Sequence, residues 1–175
     1  LYINASTDLA VGGDLNITAT TGNITQGSEV AVGTTSTFTT SANNATITLN
    51  DTDNAFTGAV TITTNDDAGT DAGVTIDGGI TALVIAASTI DGDLTLTSGH
   101  TSGITDTDTV TVGGNLAATT DAGNGLINMG TLAVDGTIAL ATHGTGAATV
   151  VNDAGLNFAA STVGGNLAAT ATTGN

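Results

Sequence analysis

Apolar and polar residues alternate along most of the chain, and this alternation predicts short β-strands. The clearest runs are Leu15-Asn16-Ile17-Thr18, Val60-Thr61-Ile62-Thr63, Leu94-Thr95-Leu96-Thr97 and Thr109-Val110-Thr111-Val112. Because successive side chains of a strand point to opposite faces, each run directs its aliphatic residues to a core and its polar residues to solvent. No stretch shows apolar residues at helical spacing, so the pattern predicts an all-β protein.

A phrase of the form Val-Gly-Gly-Asp/Asn-Leu, called here the VGG phrase, recurs between the strands. Its copies are Val11-Gly12-Gly13-Asp14-Leu15, Ile90-Asp91-Gly92-Asp93-Leu94, Val112-Gly113-Gly114-Asn115-Leu116, Val134-Asp135-Gly136-Thr137-Ile138 and Val163-Gly164-Gly165-Asn166-Leu167, with a degenerate copy at Thr57-Gly58-Ala59-Val60. Gly92, Gly114 and Gly136 follow one another at equal intervals, which indicate a repeating unit of about 22 residues. The interval from Gly13 to Gly58 is about twice as long and predicts two units, the second near Val32-Gly33-Thr34-Thr35.

Short strands at a fixed period predict a parallel β-helix, or solenoid, with roughly 20–25 residues per turn. A β-sandwich is the alternative, but it would more often show proline in its turns and aromatic residues in its core. The chain has no Pro, no Trp, one Tyr and three Phe. We therefore expect residues 1–175 to form a single β-solenoid segment. Since Val163–Asn175 repeats Val11–Asn23, we expect it to be a fragment of a longer repetitive protein.

The charge balance excludes several classes of partner. The chain has 16 acidic residues, no Lys and no Arg, for a formal charge of −16. It has no cation to displace counterions from phosphate, so nucleic acid is not an expected partner, and the same holds for anionic lipid. No apolar run reaches the roughly 18 residues of a membrane-spanning helix, so membrane insertion is not expected. Without Cys, disulfides are excluded.

The repeats resemble those of filamentous-haemagglutinin-like bacterial exoproteins, which are exported by two-partner or related secretion. The resemblance lies in Ser161-Thr162-Val163-Gly164-Gly165-Asn166-Leu167, in Thr20-Thr21-Gly22-Asn23-Ile24-Thr25-Gln26, and in Ala45–Asn50 leading to Asn54–Val60. It implies a right-handed parallel β-helix in an extracellular protein, secreted or at the bacterial cell surface. It also implies a structural role in a large adhesin or fibre, in cell adhesion, biofilm or an extracellular filament. The implied partner is a host or neighbouring-cell surface or glycan. Further copies or a coaxial continuation of the solenoid are expected as partners too, because Val163–Asn175 restarts the phrase of Val11–Asn23. The absence of any basic residue departs from the family's usual pattern and argues against binding acidic glycans.

A carbohydrate-active β-helix enzyme is the main catalytic alternative. Lyases of that fold generally need a basic residue, whereas a hydrolase needs only two carboxylates. Three acidic pairs have the required residue types: Asp51 with Asp53, Asp66 with Asp67, and Asp106 with Asp108. Each pair lies in a Thr/Asn/Gly-rich turn, where Asp commonly bonds its own backbone. His100 and His143 lie beside glycines without a second histidine or cysteine at metal spacing. We therefore expect no catalytic residue and no enzymatic activity.

Calcium is the one cofactor that the sequence raises, because this ion takes carboxylate and carbonyl oxygens from turns. A weak site is a hypothesis for Asp51 and Asp53 in one turn and for Asp66, Asp67 and Asp71 in another. Neither turn matches the twelve-residue calcium loop or the nonapeptide repeats of calcium-binding solenoids. No other cofactor is expected.

Thr-x-Thr pairs raise an ice-binding alternative, because such pairs line the flat face of some ice-binding solenoids. The pairs are Thr18 with Thr20, Thr46 with Thr48, Thr61 with Thr63, Thr95 with Thr97, and Thr109 with Thr111. Their first members are unevenly spaced along the chain, and this irregularity predicts that the pairs do not share one face.

Overall fold

A computed structural model describes residues 1–3, 7–67 and 71–174, and this part of the chain consists of strands and turns without a helix. Nothing in it could therefore cross a bilayer as a helix. In chain order, the strands are β1 (Tyr2–Ile3), β2 (Leu9–Val11), β3 (Leu15–Ala19), β4 (Ile24–Gln26), β5 (Val30–Val32), β6 (Ser36–Thr40), β7 (Ile47–Leu49), β8 (Ala55–Phe56), β9 (Val60–Thr63), β10 (Val74–Asp77), β11 (Leu83–Ile85), β12 (Ser88–Ile90), β13 (Leu94–Ser98), β14 (Ile104–Asp106), β15 (Val110–Val112), β16 (Leu116–Thr120), β17 (Ile127–Val134), β18 (Ile138–Ala141), β19 (Ala148–Asn152) and β20 (Leu167–Ala171).

The strands form three sheets, and the strand pairings are parallel. Sheet 1 has the order β1-β4-β7-β10-β13-β16-β18. Sheet 2 contains β3, β6, β9, β11, β12, β14, β15, β17, β19 and β20, and sheet 3 contains β2, β5 and β8. Most strands pair with a strand one coil later, as β4 pairs with β7 and β7 with β10. The predicted all-β parallel β-helix is therefore confirmed.

Coil length follows from residues that pair along sheet 1. One column of partners contains Ile24, Ile47, Val74, Leu94, Leu116 and Ile138. The coil from Ile47 to Val74 is the longest of this column, at about 27 residues, and the coil from Val74 to Leu94 is the shortest, at about 20 residues. The predicted repeat unit is confirmed in the two coils that run from Leu94 to Leu116 and on to Ile138. The predicted second unit near Val32 is confirmed as well, because Val32 pairs with Val11.

The core consists of aliphatic columns, in which each side chain stacks on the corresponding residue of the next coil. Ile24, Ile47, Leu94 and Ile138 of the sheet 1 column have no exposed surface. Phe38 and Phe56 pack edge to face, with ring centroids 6.0 Å apart and planes at 81°. Burial of each such side chain contributes about 1.5–3 kcal/mol. In strands such as β9 and β13, buried aliphatic residues alternate with outward-facing polar ones.

The VGG phrase occupies two different corners of the coil. Leu94, Leu116 and Ile138 begin strands of sheet 1 and pair in register. Leu15 and Leu167, by contrast, begin strands of sheet 2. The phrase therefore marks a bend that leads into a strand. Because that strand belongs to sheet 1 in some copies and to sheet 2 in others, the distance between copies in the sequence is not always a whole number of coils.

Candidate functional site

The polar residue of the VGG phrase joins one coil to the next. Asp14 Oδ1 accepts hydrogen bonds from Thr34 Oγ1 at 2.5 Å, Thr35 Oγ1 at 2.8 Å and Thr35 N at 3.1 Å. The two hydroxyl groups, followed by the backbone N–H, lower the pKa of Asp14 below its ordinary value. These bonds satisfy donors at a bend, where the sheets leave backbone groups unpaired.

The same link is repeated in the middle of the chain. Asp93 Oδ1 accepts a hydrogen bond from Asn115 N at 2.7 Å, and Asn115 Oδ1 accepts from Thr137 N and Thr137 Oγ1, both at 2.8 Å. Asp93, Asn115 and Thr137 occupy the same position in three consecutive copies of the phrase. The phrase is thus a structural device that fixes coil stacking.

Of the acidic pairs considered for hydrolysis, Asp106 bonds most extensively to the next coil. Its carboxylate oxygens accept hydrogen bonds from Gly130 N and Thr131 N, each at 2.8 Å, and from Thr131 Oγ1 at 3.0 Å. Gly130 and Thr131 lie where the register of β17 shifts, so Asp106 holds an irregular bend. Asp108 Oδ1 accepts the N–H of its neighbour Thr109 at 2.7 Å. Both carboxylates therefore bond to backbone.

A shallow groove of about 240 Å³ lies beside this bend. It is lined by Thr109, Gly130, Thr131, Leu132, Val151, Asp153 and Thr172. Asp153 is the one carboxylate among these lining residues, whereas paired-acid hydrolysis needs two. The groove thus offers part of a hydrolytic site and lacks the second acid.

The proposed calcium residues lie at two different corners. Asp51 and Asp53 lie in the turn between β7 and β8. Asp51 Oδ1 accepts a hydrogen bond from Asp53 N at 3.0 Å. Asp66, Asp67 and Asp71 lie between β9 and β10, where Asp71 N donates to Asp66 Oδ2 at 3.4 Å. Residues 68–70 of the second turn fall outside the described residues. Among the described residues, no group of three or more His, Cys, Asp or Glu side chains could hold a metal ion.

Asp77, at the end of β10, has an environment that disfavours its charge. Burial raises the pKa of its carboxyl, and the nearby carboxylates of Asp121 and Asp51 raise it further. A hydrogen bond from Gly79 N to Asp77 Oδ1, 2.8 Å long, acts in the opposite direction. The side chain is half-buried and serves the turn that follows its strand.

Both histidines lie in turns. His100 Nδ1 accepts Ser102 N at 3.0 Å, which closes the turn after β13. His143 is exposed in part, and its backbone N donates to Thr120 Oγ1 at 3.3 Å. Among the described residues, the two imidazoles belong to no common group that could hold a metal ion.

Asn54 is a buried polar residue that sequence analysis did not single out. It has no exposed surface, and its Oδ1 accepts Val30 N at 2.9 Å and Gln26 Nε2 at 2.8 Å. Its Nδ2 donates to Gln26 Oε1 at 3.0 Å and to the carbonyl of Asp77 at 3.0 Å. Asn54 thus connects three coils, and its sequence context of Asn and Asp residues did not distinguish it from exposed turn residues.

The Thr-x-Thr pairs of the sequence divide between two sheets. Thr48 and Thr95 lie on strands of sheet 1, whereas Thr18, Thr61 and Thr111 lie on strands of sheet 2. The pairs therefore do not share one face, as their spacing predicted.

Threonines of different pairs nevertheless align on the outward face of sheet 2, which the spacing did not predict. One column there contains Thr18, Thr39, Thr63, Thr89 and Thr111, joined by consecutive pairings. A second column, one outward position away, contains Asn16, Thr37 and Thr61. Because the coils differ in length, these aligned positions are unequally spaced in sequence. We call the two columns together the threonine face.

Threonines of this face differ from those at the corners in what their hydroxyl groups do. Corner residues such as Thr40, Thr64 and Thr120 bond a carbonyl of the following bend, at 3.3, 3.0 and 2.9 Å. The seven threonine hydroxyls of the threonine face make no hydrogen bond to another part of the described chain. Their hydroxyl groups are therefore available to solvent or a ligand.

A family described as repeats of unknown function, DUF5649, matches residues 3–63, which span the coils from β1 to β9. No curated protein and no solved structure matches the chain. The chain is thus a repeat protein with a parallel β-helix fold, similar in residues 3–63 to a repeat family whose function is not known.

Proposed function

We propose that the chain is a structural segment of a secreted bacterial exoprotein of the filamentous-haemagglutinin type, acting in a surface adhesin or extracellular fibre. The observation that supports this most directly is the repeated link between coils. Asp14, Asp93 and Asn115 each use their side chain to hold the backbone of the next coil. The repeated sequence therefore encodes an extended stack, as a rod requires.

The proposal includes no catalytic role. Catalysis normally requires a few unique side chains that converge in one cleft. The acidic candidate Asp106 instead bonds three groups at a bend of the next coil, and Asp51 bonds the backbone of its own turn.

In this proposal, neighbouring coils stack coaxially on both end coils, either from the same polypeptide or from another copy. Leu1 and Tyr2 in the first coil are 56% and 57% exposed, and Phe158 and Leu167 near the other end are 38% and 47% exposed. A covering coil would bury these side chains and pair the open strand edges. Because both partners would be acidic, salt that screens the charge should favour the association.

Electron microscopy of native material, with antibodies raised against this segment, tests the proposal. Labelled filaments or labelled cell surfaces would support it, whereas label confined to the cytoplasm would refute it. Sedimentation of the purified chain at low and high salt tests coaxial stacking separately. Association that increases with salt is expected, and a monomer at high concentration in both conditions would contradict stacking.

A further inference from the structure

The threonine face has a regularity that coil stacking alone does not require. Neighbouring threonines along a column are about 4.8 Å apart, the spacing of paired strands, and the two columns lie about 6.7 Å apart, the distance between alternate positions of a strand. The second column is present on β3, β6 and β9, which pair continuously. The result is a two-dimensional array of β-branched side chains, whose rotamers are restricted.

The array also excludes charge. Its eight positions carry seven threonines and one asparagine, although the chain has 16 acidic residues. The corresponding positions on sheet 1 differ in this respect. Thr25, Thr48, Thr75 and Thr95 form one column there, but the neighbouring outward column begins with Asp77, which is followed by Thr97 and Thr119.

We propose that the threonine face binds the surface of crystalline ice. Each threonine presents a methyl group, which orders the water around it, and a hydroxyl group that has no partner among the described residues. The array repeats in two directions, as does the oxygen lattice at the surface of an ice crystal. A carboxylate would hold water in a different geometry, and the face has none.

The occupant follows from this chemistry. A glycan would be expected to require aromatic platforms or directed polar groups in a groove, whereas the threonine face is an open array of one residue type. A second copy of the acidic chain would bring like charges together around the face. Ice needs no aromatic platform and brings no negative charge, because its surface is an uncharged lattice that extends over the whole array.

Partition of the whole chain into slowly growing ice, together with inhibition of ice recrystallisation, tests the inference. The disrupting variant carries Thr39→Tyr and Thr63→Tyr on sheet 2, and the matched control carries Thr48→Tyr and Thr75→Tyr on sheet 1. All four positions point outward on strands, and tyrosine suits strands, so both variants should keep their fold. Circular dichroism and thermal melting check this.

The wild-type chain and the sheet 1 variant should concentrate in the ice and inhibit recrystallisation, whereas the sheet 2 variant should lose both activities. Exclusion of the wild-type chain from ice would overturn the inference. Loss in both folded variants, in neither, or in the sheet 1 variant alone would also overturn it. If the sheet 2 double variant does not fold, the single Thr89→Tyr variant replaces it, with the same outcomes.

Discussion

Single residues in the core differ in how well their polar atoms are satisfied. Ser36 is 1% exposed and lies between Leu15 and Val60 in an aliphatic column, and its Oγ has no hydrogen-bond partner among the described residues. Ser98 is fully buried too, but its Oγ donates to the carbonyl of Thr81 at 3.0 Å. The buried hydroxyl of Ser36 therefore destabilises the fold, whereas the hydrogen bond of Ser98 stabilises it.

Replacing each serine by alanine should therefore have opposite effects. Ser36→Ala removes an unsatisfied buried hydroxyl and should raise the free energy of unfolding by about 1 kcal/mol, whereas Ser98→Ala should lower it by about the same amount. Urea denaturation of the two variants measures both changes. A loss of stability in Ser36→Ala as large as that in Ser98→Ala would show that Ser36 has a partner.

Asp77 should make stability depend on pH. Because burial raises the pKa of Asp77, ionisation is disfavoured in the folded chain, and the penalty is present at neutral pH. The penalty disappears as the pH falls below the ordinary aspartate pKa of about 3.9. Asp77→Asn keeps an oxygen for Gly79 N and removes the charge, so the melting temperature should rise near neutral pH.

The same substitution should have little effect at about pH 3, where Asp77 is neutral in both folded and unfolded chains. Asp67→Asn, at an exposed turn residue, is the control for the general loss of one negative charge. Thermal melting at the two pH values makes the comparison. An equal gain from Asp67→Asn, or a gain that persists at low pH, would contradict the role of burial.

At the scale of the structural element, the bend between strands is the unit that repeats. A Cβ atom added to Gly33 would lie 2.7 Å from the carbonyl oxygen of Gly12 in the preceding coil, whereas one added to Gly12 would have nothing within 4 Å. The bend at Gly33 therefore stacks closely on the backbone of the bend at Gly12, and a side chain at Gly33 would displace that backbone.

Two alanine variants distinguish this stacking from a general preference for glycine in turns. Gly33→Ala should lower the free energy of unfolding by about 1–3 kcal/mol, because backbone must move to accommodate the methyl group. Gly12→Ala should change it by less than about 1 kcal/mol. Denaturant titrations measure both values, and equal losses would show that backbone conformation decides the effect.

The sequence allowed the strands and the coil size to be predicted, because alternation and the VGG phrase are local signals. The register of distant threonines was not predictable in the same way. Val60 pairs with Ile85, and Thr63, three residues after Val60, pairs with Thr89, four residues after Ile85. The register therefore shifts by one residue between these two pairings. Alignment of outward side chains depends on the sum of all bend lengths, which no single motif specifies. Burial of Asn54 depends likewise on coils on either side.

At the scale of the whole molecule, the acidic turns raise the question of whether the solenoid needs calcium. Asp51 and Asp66 already accept backbone N–H groups, and the described residues form no cluster of three metal-binding side chains. We therefore expect chelation to leave the melting temperature within about 2 °C, since an ion that does not bind the folded state cannot stabilise it. Differential scanning calorimetry with EDTA, then with added calcium, measures the shift. A decrease above about 5 °C that calcium reverses would establish a structural site.

The pairing of each coil with its two neighbours also determines how the molecule would respond to tension along its axis. The hydrogen bonds between coils run parallel to that axis, so a pulling force loads one inter-coil interface after another and peels coils from an end. A released coil, such as the one from Leu94 to Leu116, extends to about 75 Å, against about 4.8 Å when stacked. Such a solenoid would lengthen roughly fifteenfold per coil before its chain is taut, and would dissipate work at each step.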